Sequence, residues 1–161
     1  MAFDISVIIP VKNEEESIPL LISEIDNVLK NLELKYEIIF ITDDNDDNTW
    51  EILKIEHKKM RNIQLIKLTR SKGQHIAIIA GLKYCNGDCA LIMDGDLEMP
   101  AHEITKLYRE YIKGVDIVYG TNKNKNHSFL GDIFSRSFNF FMQKFSDEII
   151  DFNTDMFRII S

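Results

Sequence analysis

The feature that most constrains this chain is a short apolar run that ends in closely spaced carboxylates. Residues 91–93 are apolar, Asp94, Asp96 and Glu98 follow at alternate positions, and Pro100 ends the segment. An apolar run bounded by such a break is typical of a buried strand. In an open α/β sheet, ligands bind at the carboxyl ends of the strands, which is where these acids would emerge.

The spacing of the three acids predicts a cation site. In an extended segment, residues i, i+2 and i+4 project to the same side, so that Asp94, Asp96 and Glu98 would converge. Carboxylates held together repel one another unless a cation lies between them, and oxygen ligands suit Mg²⁺ or Mn²⁺. For an isolated D-x-D pattern, the alternative is an acidic turn that binds no ligand. Other motifs in the chain are needed to distinguish this turn from a cation site.

Composition limits the class of protein and of partner. The chain has 161 residues, of which 45% are hydrophobic and 28% charged, as expected for one domain with a substantial core. Its formal net charge of -7 argues against a nucleic-acid partner. No apolar run approaches the length of a membrane span, and the first residues lack the basic region of a signal peptide. Cys85 and Cys89 have neither zinc nor redox spacing and are expected to be free core thiols.

Strand-like and helix-like patterns alternate along the first 120 residues. Strands are predicted at 5–10, 36–41, 63–68, 89–93 and 116–119, and helices at 14–32, 49–60, 73–84 and 100–113. This alternation predicts βαβ units and a mainly parallel sheet. Beyond Gly120 we predict a hydrophilic loop at 121–128, an aromatic-rich helix at 129–145 and a last extended piece at 151–161, all within one domain, 1–161.

Two finer predictions concern the helices. Asn13 is expected to cap the first helix, with the three following glutamates in its first turn, where carboxylates favour the helix dipole. In the third helix, Ile76, Ile79, Ala80 and Leu82 are expected to face the core.

The acidic stretch 43–48 invites a calcium interpretation, which its spacing excludes. Asn48 stands where an EF-hand loop has glycine, and Lys54 occupies the twelfth position instead of glutamate. The glycine patterns of P-loops and classical dinucleotide sites are absent, and the first strand lacks the acidic pair of a response regulator. Within this stretch we assign a function to Asp43 alone.

Polar clusters follow each of the first four predicted strands. They comprise residues 10–14, Asp43, Arg70 with Gly73, and Asp94 with Asp96. Because the carboxyl ends of parallel strands share one edge of a sheet, these clusters are expected to line one pocket. Glu14 and Asp43 could accept the N–H groups of a base and the hydroxyls of a ribose. A metal at Asp94 and Asp96 could neutralise a pyrophosphate.

With these motifs in this order, the chain resembles the family 2 glycosyltransferases, and within them the polyprenyl-phosphate and dolichyl-phosphate sugar transferases. Residues 8–15 match I-P-V-Y-N-E-E, 40–51 match F-V-D-D-G-S-T-D-G-T-x-E, 70–73 match R-N-x-G, 94–100 match D-A-D-L-Q-x-P, and 157–161 match F-R-L-x-S. The resemblance spans essentially the whole chain. It implies the GT-A fold, a Rossmann-like three-layer α/β/α arrangement with a mainly parallel central sheet.

The resemblance implies a metal-dependent, inverting glycosyltransferase of the hexosyltransferase type. Its donor would be a nucleotide-diphospho-sugar of the UDP or GDP type, its cofactor Mg²⁺ or Mn²⁺, and its acceptor a polyprenyl phosphate or a growing surface polysaccharide of the cell envelope. The alternative is a catalytically weak or inactive domain of the same fold that binds a nucleotide-sugar or a partner subunit. The implied location is cytoplasmic. A peripheral position at the inner face of the membrane, a partner subunit and a homo-oligomer remain open.

The family's functional residues carry over to matching positions of this chain. The nucleotide-binding set is Pro10, Glu14, Asp43, Arg70, Gly73 and Asp94. The metal-binding set is Asp94, Asp96 and Glu98, where Glu98 replaces a glutamine of the polyprenyl-phosphate branch. The catalytic set is Asp94, Asp96 and Arg158. The residues implied near the acceptor or the phosphates are Lys123, Lys125, Ser135 and Arg136.

Departures from the family pattern fall mainly on the acceptor and phosphate side. Lys12 replaces a tyrosine, Thr42 replaces the first aspartate of the D-D pair, Asn122 replaces an arginine, and Met156 stands where the family has an aspartate. The sequence also stops at Ser161, where relatives continue, so we expect a minimal form, an excised domain or a protein that needs a partner. An aromatic stripe is expected to be core, with a membrane or subunit contact as the alternative; its members are Phe134, Phe138, Phe141 and Phe145.

Overall fold

The computed structural model of the chain describes residues 3–43, 45–70, 73–120 and 156–161. These residues belong to one compact unit. In chain order the elements are β1 (Phe3–Val11), α1 (Ile18–Asn31), β2 (Tyr36–Thr42), α2 (Thr49–Lys59), β3 (Ile63–Lys67), α3 (Gln74–Tyr84), β4 (Gly87–Ile92), a 3₁₀ turn (Ala101–Glu103), α4 (Ile104–Tyr111), β5 (Ile117–Tyr119) and β6 (Arg158–Ile160).

Some predictions fall outside the described residues. They are the loop at 121–128, the helix at 129–145 with its aromatic stripe, and the roles of Lys123, Lys125, Ser135 and Arg136. Within the described ranges, Cys85 and Cys89 are free thiols, as expected. Over the same ranges, no helix combines the length and the apolar character that crossing a membrane requires.

The six described strands form one sheet in the order β3-β2-β1-β4-β6-β5. β1 pairs in parallel with β2 and β4, and β2 pairs in parallel with β3. β6 runs antiparallel to both β4 and β5. The register places Val11 opposite Thr42, Thr42 opposite Lys67, and Ile92 opposite Arg158. The prediction of a mainly parallel sheet is therefore confirmed, and these strand ends share one edge.

Successive residues of β1 pack on opposite faces of the sheet, as the alternation of a strand requires. On one face, Ile5, Val7 and Ile9 are buried in a large cluster with α1 and α4, whose members include Ile18, Leu21, Ile25, Ile104 and Leu107. On the other face, Ile8 packs in a smaller cluster with α3, whose members include Ile39, Ile41, Ala77 and Ile78. Helices thus cover both faces, which gives the three-layer α/β/α arrangement.

The core face of α3 differs from the prediction in part, because Ala80 and Leu82 pack against the smaller cluster as expected but Ile76 and Ile79 do not. Ile76 and Ile79 are 44% and 60% exposed, whereas the buried positions of this helix are Ala77, Ile78 and Gly81. The sheet selects small residues, because a Cβ at Gly81 would lie 2.5 Å from Cγ2 of Ile8. Apolar residues occur on every side of this helix, so their period does not identify the face that packs.

The first helix begins later than predicted. Asn13 is not its N-cap, because α1 starts at Ile18 and Ser17 precedes it. Asn13 has a φ of +57°, in the left-handed region that asparagine tolerates better than most residues. The three glutamates after Asn13 therefore lie in turns between β1 and α1, and no acid occupies the first turn of the helix.

Candidate functional site

A pocket of about 300 Å³ lies at the carboxyl ends of β1, β2 and β4. Its lining comprises Pro10, Val11, Lys12, Glu14, Ile41, Asp43, Gly73, Gln74, Ala77, Asp94, Gly95 and Asp96. Five of the six residues predicted to contact a nucleotide are among them, and so are two of the three predicted metal ligands. The exceptions are Arg70, an exposed residue after β3, and Glu98.

Reciprocal hydrogen bonds join the loop after β1 to the loop after β2. The backbone N–H of Asn13 donates to Oδ1 of Asn45 at 3.1 Å, and Oδ1 of Asn13 accepts the backbone N–H of Asp46 at 2.9 Å. The backbone N–H of Glu14 donates to Oγ1 of Thr49 at 2.7 Å. We call this set of contacts, between residues 13–15 and 45–49, the loop clasp.

Asp47 is the acid of the loop clasp that binds both loops. Its Oδ2 accepts the backbone N–H of Glu15 at 3.1 Å, and its Oδ1 accepts the backbone N–H of Thr49 at 3.0 Å. Glu15 in turn accepts both the backbone and the side-chain N–H groups of Asn48, at 2.8 and 2.9 Å. Burial acts to raise the pKa of Asp47, but the hydrogen bonds from Thr49 and Glu15 outweigh it and hold that pKa below its ordinary value of 3.8.

Glu14 and Asp43, the two acids expected to hold a nucleoside, differ in their hydrogen-bond partners. Oε2 of Glu14 accepts the hydroxyl of Ser17 at 2.7 Å, which orients that carboxylate. Oδ1 of Asp43 is buried and has no hydrogen-bond partner within the described residues. A buried acceptor without a donor costs free energy, so this oxygen is suited to an N–H or O–H group of a ligand in the pocket.

The segment after β4 is a turn, and this corrects the geometry predicted for the three acids. Leu97 has a φ of +61°, and the backbone N–H of Glu98 donates to Oδ1 of Asp96 at 2.9 Å. The premise of an extended segment is therefore wrong, and Glu98 is exposed outside the pocket lining. Across the part of the chain that the structure describes, no three His, Cys, Asp or Glu residues are grouped closely enough to hold a metal ion. Convergence of all three acids is therefore not observed, and Asp94 and Asp96 remain as the pair in the pocket.

Gly95, between these two aspartates, is buried against the end of β1. A Cβ at this position would lie 2.6 Å from Cγ1 of Val11 and 3.7 Å from Cγ of Glu14. A residue without a side chain therefore lets the turn that carries Asp94 and Asp96 approach the loop that carries Glu14.

Gln74, the first residue of α3, is a pocket residue that the sequence analysis missed. Its side-chain Nε2 donates to Oδ1 of Asp94. Gly73, directly before it, has a φ of +80°, a conformation that favours glycine and that turns the chain into the helix. The only signal in the sequence is its place beside Gly73, since glutamine at a helix start is otherwise unremarkable.

The charge balance of the pocket bears on the cofactor. Among the described residues of the lining, four are acids, namely Glu14, Asp43, Asp94 and Asp96, and one, Lys12, is basic. Such a pocket repels a diphosphate unless a cation accompanies it. Mg²⁺ is usually held by one or two carboxylates together with substrate phosphates, and Mn²⁺ has similar ligand preferences. The pair of aspartates therefore fits either cation.

Arg158 lies on the same edge of the sheet. It is the first residue of β6, is half-buried, and pairs with Ile92 of β4. Ile92 in turn precedes Asp94 by two residues. It does not line the pocket. The strand pairing therefore brings it to the edge where the pocket lies.

Comparison with known proteins identifies the family. The family model described as "Glycosyl transferase family 2" matches residues 6–161. Two curated relatives both have the name undecaprenyl-phosphate 4-deoxy-4-formamido-L-arabinose transferase. The protein from Pseudomonas fluorescens is 36% identical over 125 residues, which cover 77% of this chain and 37% of the relative. The protein from Photorhabdus laumondii is 36% identical over 141 residues, which cover 87% of this chain and 43% of the relative.

A solved structure supports the fold. Glucosyl-3-phosphoglycerate synthase from Mycobacterium tuberculosis, in complex with Mn²⁺, UDP and phosphoglyceric acid, superposes with a TM-score of 0.72 at 17% identity. The alignment covers 99% of this chain and 56% of that chain. The predicted GT-A fold is confirmed.

This chain spans about two fifths of the length of the two curated relatives. Both relatives are polyprenyl-phosphate sugar transferases by name, which agrees with the predicted branch. Because the family model matches nearly every residue, the chain belongs to glycosyl transferase family 2, as its motifs predict.

Proposed function

We propose that this chain transfers a sugar from a nucleotide-diphospho-sugar to a polyprenyl phosphate, with a divalent cation as cofactor. The observation that carries the proposal is the acidic pocket at the strand ends, where Oδ1 of Asp43 is buried and has no hydrogen-bond partner among the described residues. The acceptor class is supported by the names of the two curated relatives, and the cation by the Mn²⁺ and UDP in the structural neighbour.

In this proposal the nucleoside lies against the loops that the clasp holds together. Oδ1 of Asp43 accepts a donor from the base or ribose, which removes the cost of a buried oxygen without a partner. Glu14, oriented by Ser17, offers a second acceptor from the facing loop. The hydrogen bonds between the two loops set the spacing of these acceptors before a ligand arrives.

Asp94 and Asp96 are the residues that would hold the cation. When bound there, Mg²⁺ or Mn²⁺ would supply Lewis-acid stabilisation of the negative charge on the departing diphosphate. The contribution of the chain is to orient both carboxylates at the pocket. The Glu98 N–H orients Asp96, and Gln74 contacts Asp94.

In the proposed transfer step, the chain does not need to supply a catalytic base. A phosphate oxygen of the acceptor forms a bond to the anomeric carbon as the bond from that carbon to the diphosphate breaks. The electron pair of the broken bond leaves with the nucleoside diphosphate, and attack from the opposite face inverts the configuration. A lipid phosphate is already anionic, so no proton has to be removed, whereas a sugar hydroxyl would need a general base.

A lipid acceptor has a consequence for location. A polyprenyl phosphate is anchored in a bilayer, so we propose that the reaction takes place at a membrane surface, on the cytoplasmic side where nucleotide-sugars are made. Arg158 is proposed to contact phosphate from its place at the pocket edge of the sheet. Lys123, Lys125, Ser135 and Arg136 are proposed to serve the acceptor.

Calorimetric titration with UDP, GDP and their sugar conjugates, with and without Mn²⁺, tests the proposal. We expect one nucleotide to bind in a Mn²⁺-dependent manner. Asp96→Asn retains the oxygen that accepts the Glu98 N–H but removes the charge, and it should weaken the Mn²⁺-dependent binding by more than about tenfold. Glu98→Gln is the matched control, because it removes an exposed charge two residues away and should bind as the wild type does.

The outcomes separate the proposal from its alternative. No binding by any nucleotide would refute it. Binding without release of nucleoside diphosphate, when sugar donor and a polyprenyl phosphate are supplied, would favour the catalytically inactive domain instead. Release of pyrophosphate would indicate nucleotidyl transfer and contradict both.

A further inference from the structure

We infer that Gln74 is a positioning residue, which holds the carboxylate of Asp94 in the orientation that meets the cation and the diphosphate. The inference rests on the proposed function, since it assigns a role within the same pocket. Gln74 lines the pocket beside Asp94, and its Nε2 donates to Oδ1 of that aspartate.

The chemistry of the contact suits an orienting role. An ionised carboxylate can only accept hydrogen bonds, so the glutamine must turn its NH₂ group, and not its carbonyl, toward Asp94. The amide is neutral, so it restrains one oxygen of Asp94 without adding a positive charge to the pocket. A lysine or arginine in its place would form an ion pair and compete with that cation. Polar groups that hold metal ligands in place commonly act in this way.

The fold fixes where Gln74 lies. The left-handed φ of Gly73 turns the chain into α3, and the backbone N–H of Ala77 donates to the carbonyl of Gly73 at 3.3 Å. One turn further, Gly81 packs so closely on β1 that a Cβ would meet Ile8 at 2.5 Å. The helix therefore cannot move toward the sheet, and its first residue has a defined place beside Asp94.

Gln74→Met tests the inference, because it keeps the length and the helix propensity of the side chain and removes the donor. His75→Met is the matched control, since His75 is the next residue, is exposed and does not line the pocket. We expect Gln74→Met to weaken Mn²⁺-dependent nucleotide binding about three- to tenfold, a modest loss because Gln74 is exposed to water. In Gln74→Met, the affinity for nucleotide in EDTA and the Tm should both stay at the wild-type values. A merely structural role of Gln74 would instead lower the Tm or the affinity measured without metal.

A second measurement tests the contact without any ligand. In ¹⁵N correlation spectra of the nucleotide-free protein, the side-chain NH₂ resonances of Gln74 should shift in Asp94→Ala. They should remain in place in Glu98→Ala, which removes an exposed acid of the same turn. If the side-chain NH₂ resonances of Gln74 do not shift in Asp94→Ala, the inference is overturned whatever the binding data show.

The failures of the two proposals are distinguishable. If the wild type binds nucleotide with Mn²⁺ and Gln74→Met binds equally well, the role of Gln74 is refuted and the proposed function stands. If the wild type binds no nucleotide, the proposed function is refuted, and the positioning role falls with it.

Discussion

Asp47 allows a quantitative test of the loop clasp. This half-buried aspartate accepts one backbone N–H from each loop, that of Glu15 at 3.1 Å and that of Thr49 at 3.0 Å. Asp47→Ala removes both acceptors. Water can reach the freed N–H groups, so each lost bond costs about 0.5–1 kcal/mol, and the substitution should lower the free energy of unfolding by about 1–2 kcal/mol.

The dependence on pH gives the test a direction. Burial raises the pKa of Asp47 and the hydrogen bonds from Thr49 and Glu15 lower it by more, so the folded pKa lies below 3.8. A carboxyl with a depressed folded pKa contributes stability that is fully present above its unfolded pKa and is lost as the pH falls through the folded value. Urea denaturation should therefore show the full difference between wild type and Asp47→Ala at pH 7, and a smaller one below about pH 4.

Asp46→Ala is the matched control for this experiment. Asp46 is an exposed neighbour of the same charge, and it takes part in the loop clasp through its backbone N–H, which the substitution keeps. Its free energy of unfolding should stay within about 0.5 kcal/mol of the wild type. Equal losses in the two variants, or a loss in Asp47→Ala that is the same at pH 3 and pH 7, would refute the assignment of these hydrogen bonds.

Two further substitutions test the packing of the sheet. Gly81→Ala should lower the Tm although alanine favours a helix by up to about 1 kcal/mol, because its Cβ would come within 2.5 Å of Ile8 and overpacking of this kind costs about 1–3 kcal/mol. A Tm at or above that of the wild type would show that α3 has room on the sheet. Glu37→Gln should lower the free energy of unfolding by about 1–3 kcal/mol in urea, because the fully buried Glu37 accepts donors from Ser6, Gln64 and Asn86, and an amide NH₂ would face one of them. An unchanged midpoint would mean that these donors find other acceptors.

The strands were the most predictable part of the fold. Each of the five strands predicted within the first 120 residues begins and ends within two residues of the observed element. Runs such as residues 38–41 are apolar throughout because both faces of the central sheet are covered, and such runs are distinct in any sequence. Their alternation with helices then determines the parallel pairing, and that pairing brings the polar ends together at one edge.

The errors arose where contacts without a pattern in the sequence decide the local conformation. Asn13 has the composition of a helix cap, but its partners are Asn45 and Asp46, more than 30 residues away. Leu97 adopts a left-handed φ in the turn after β4, so the regular spacing of the acids around it does not make them converge. Gln74 carries no pattern of its own, and only the packing of α3 places it beside Asp94.

The closeness of the pocket acids is a product of backbone packing and not of any attraction between them. β1 lies between β2 and β4, so the loops after these three strands are neighbours. Gly95 then allows the turn after β4 to pack against Val11, because a Cβ at this position would lie only 2.6 Å from Cγ1 of Val11. Hydrophobic burial of the central strands, about 25 cal/mol for each Å² of apolar surface removed from water, is large enough to hold these loops together. Repulsion among the carboxylates is the cost of that arrangement, and in the proposed function a divalent cation that arrives with a diphosphate would relieve it.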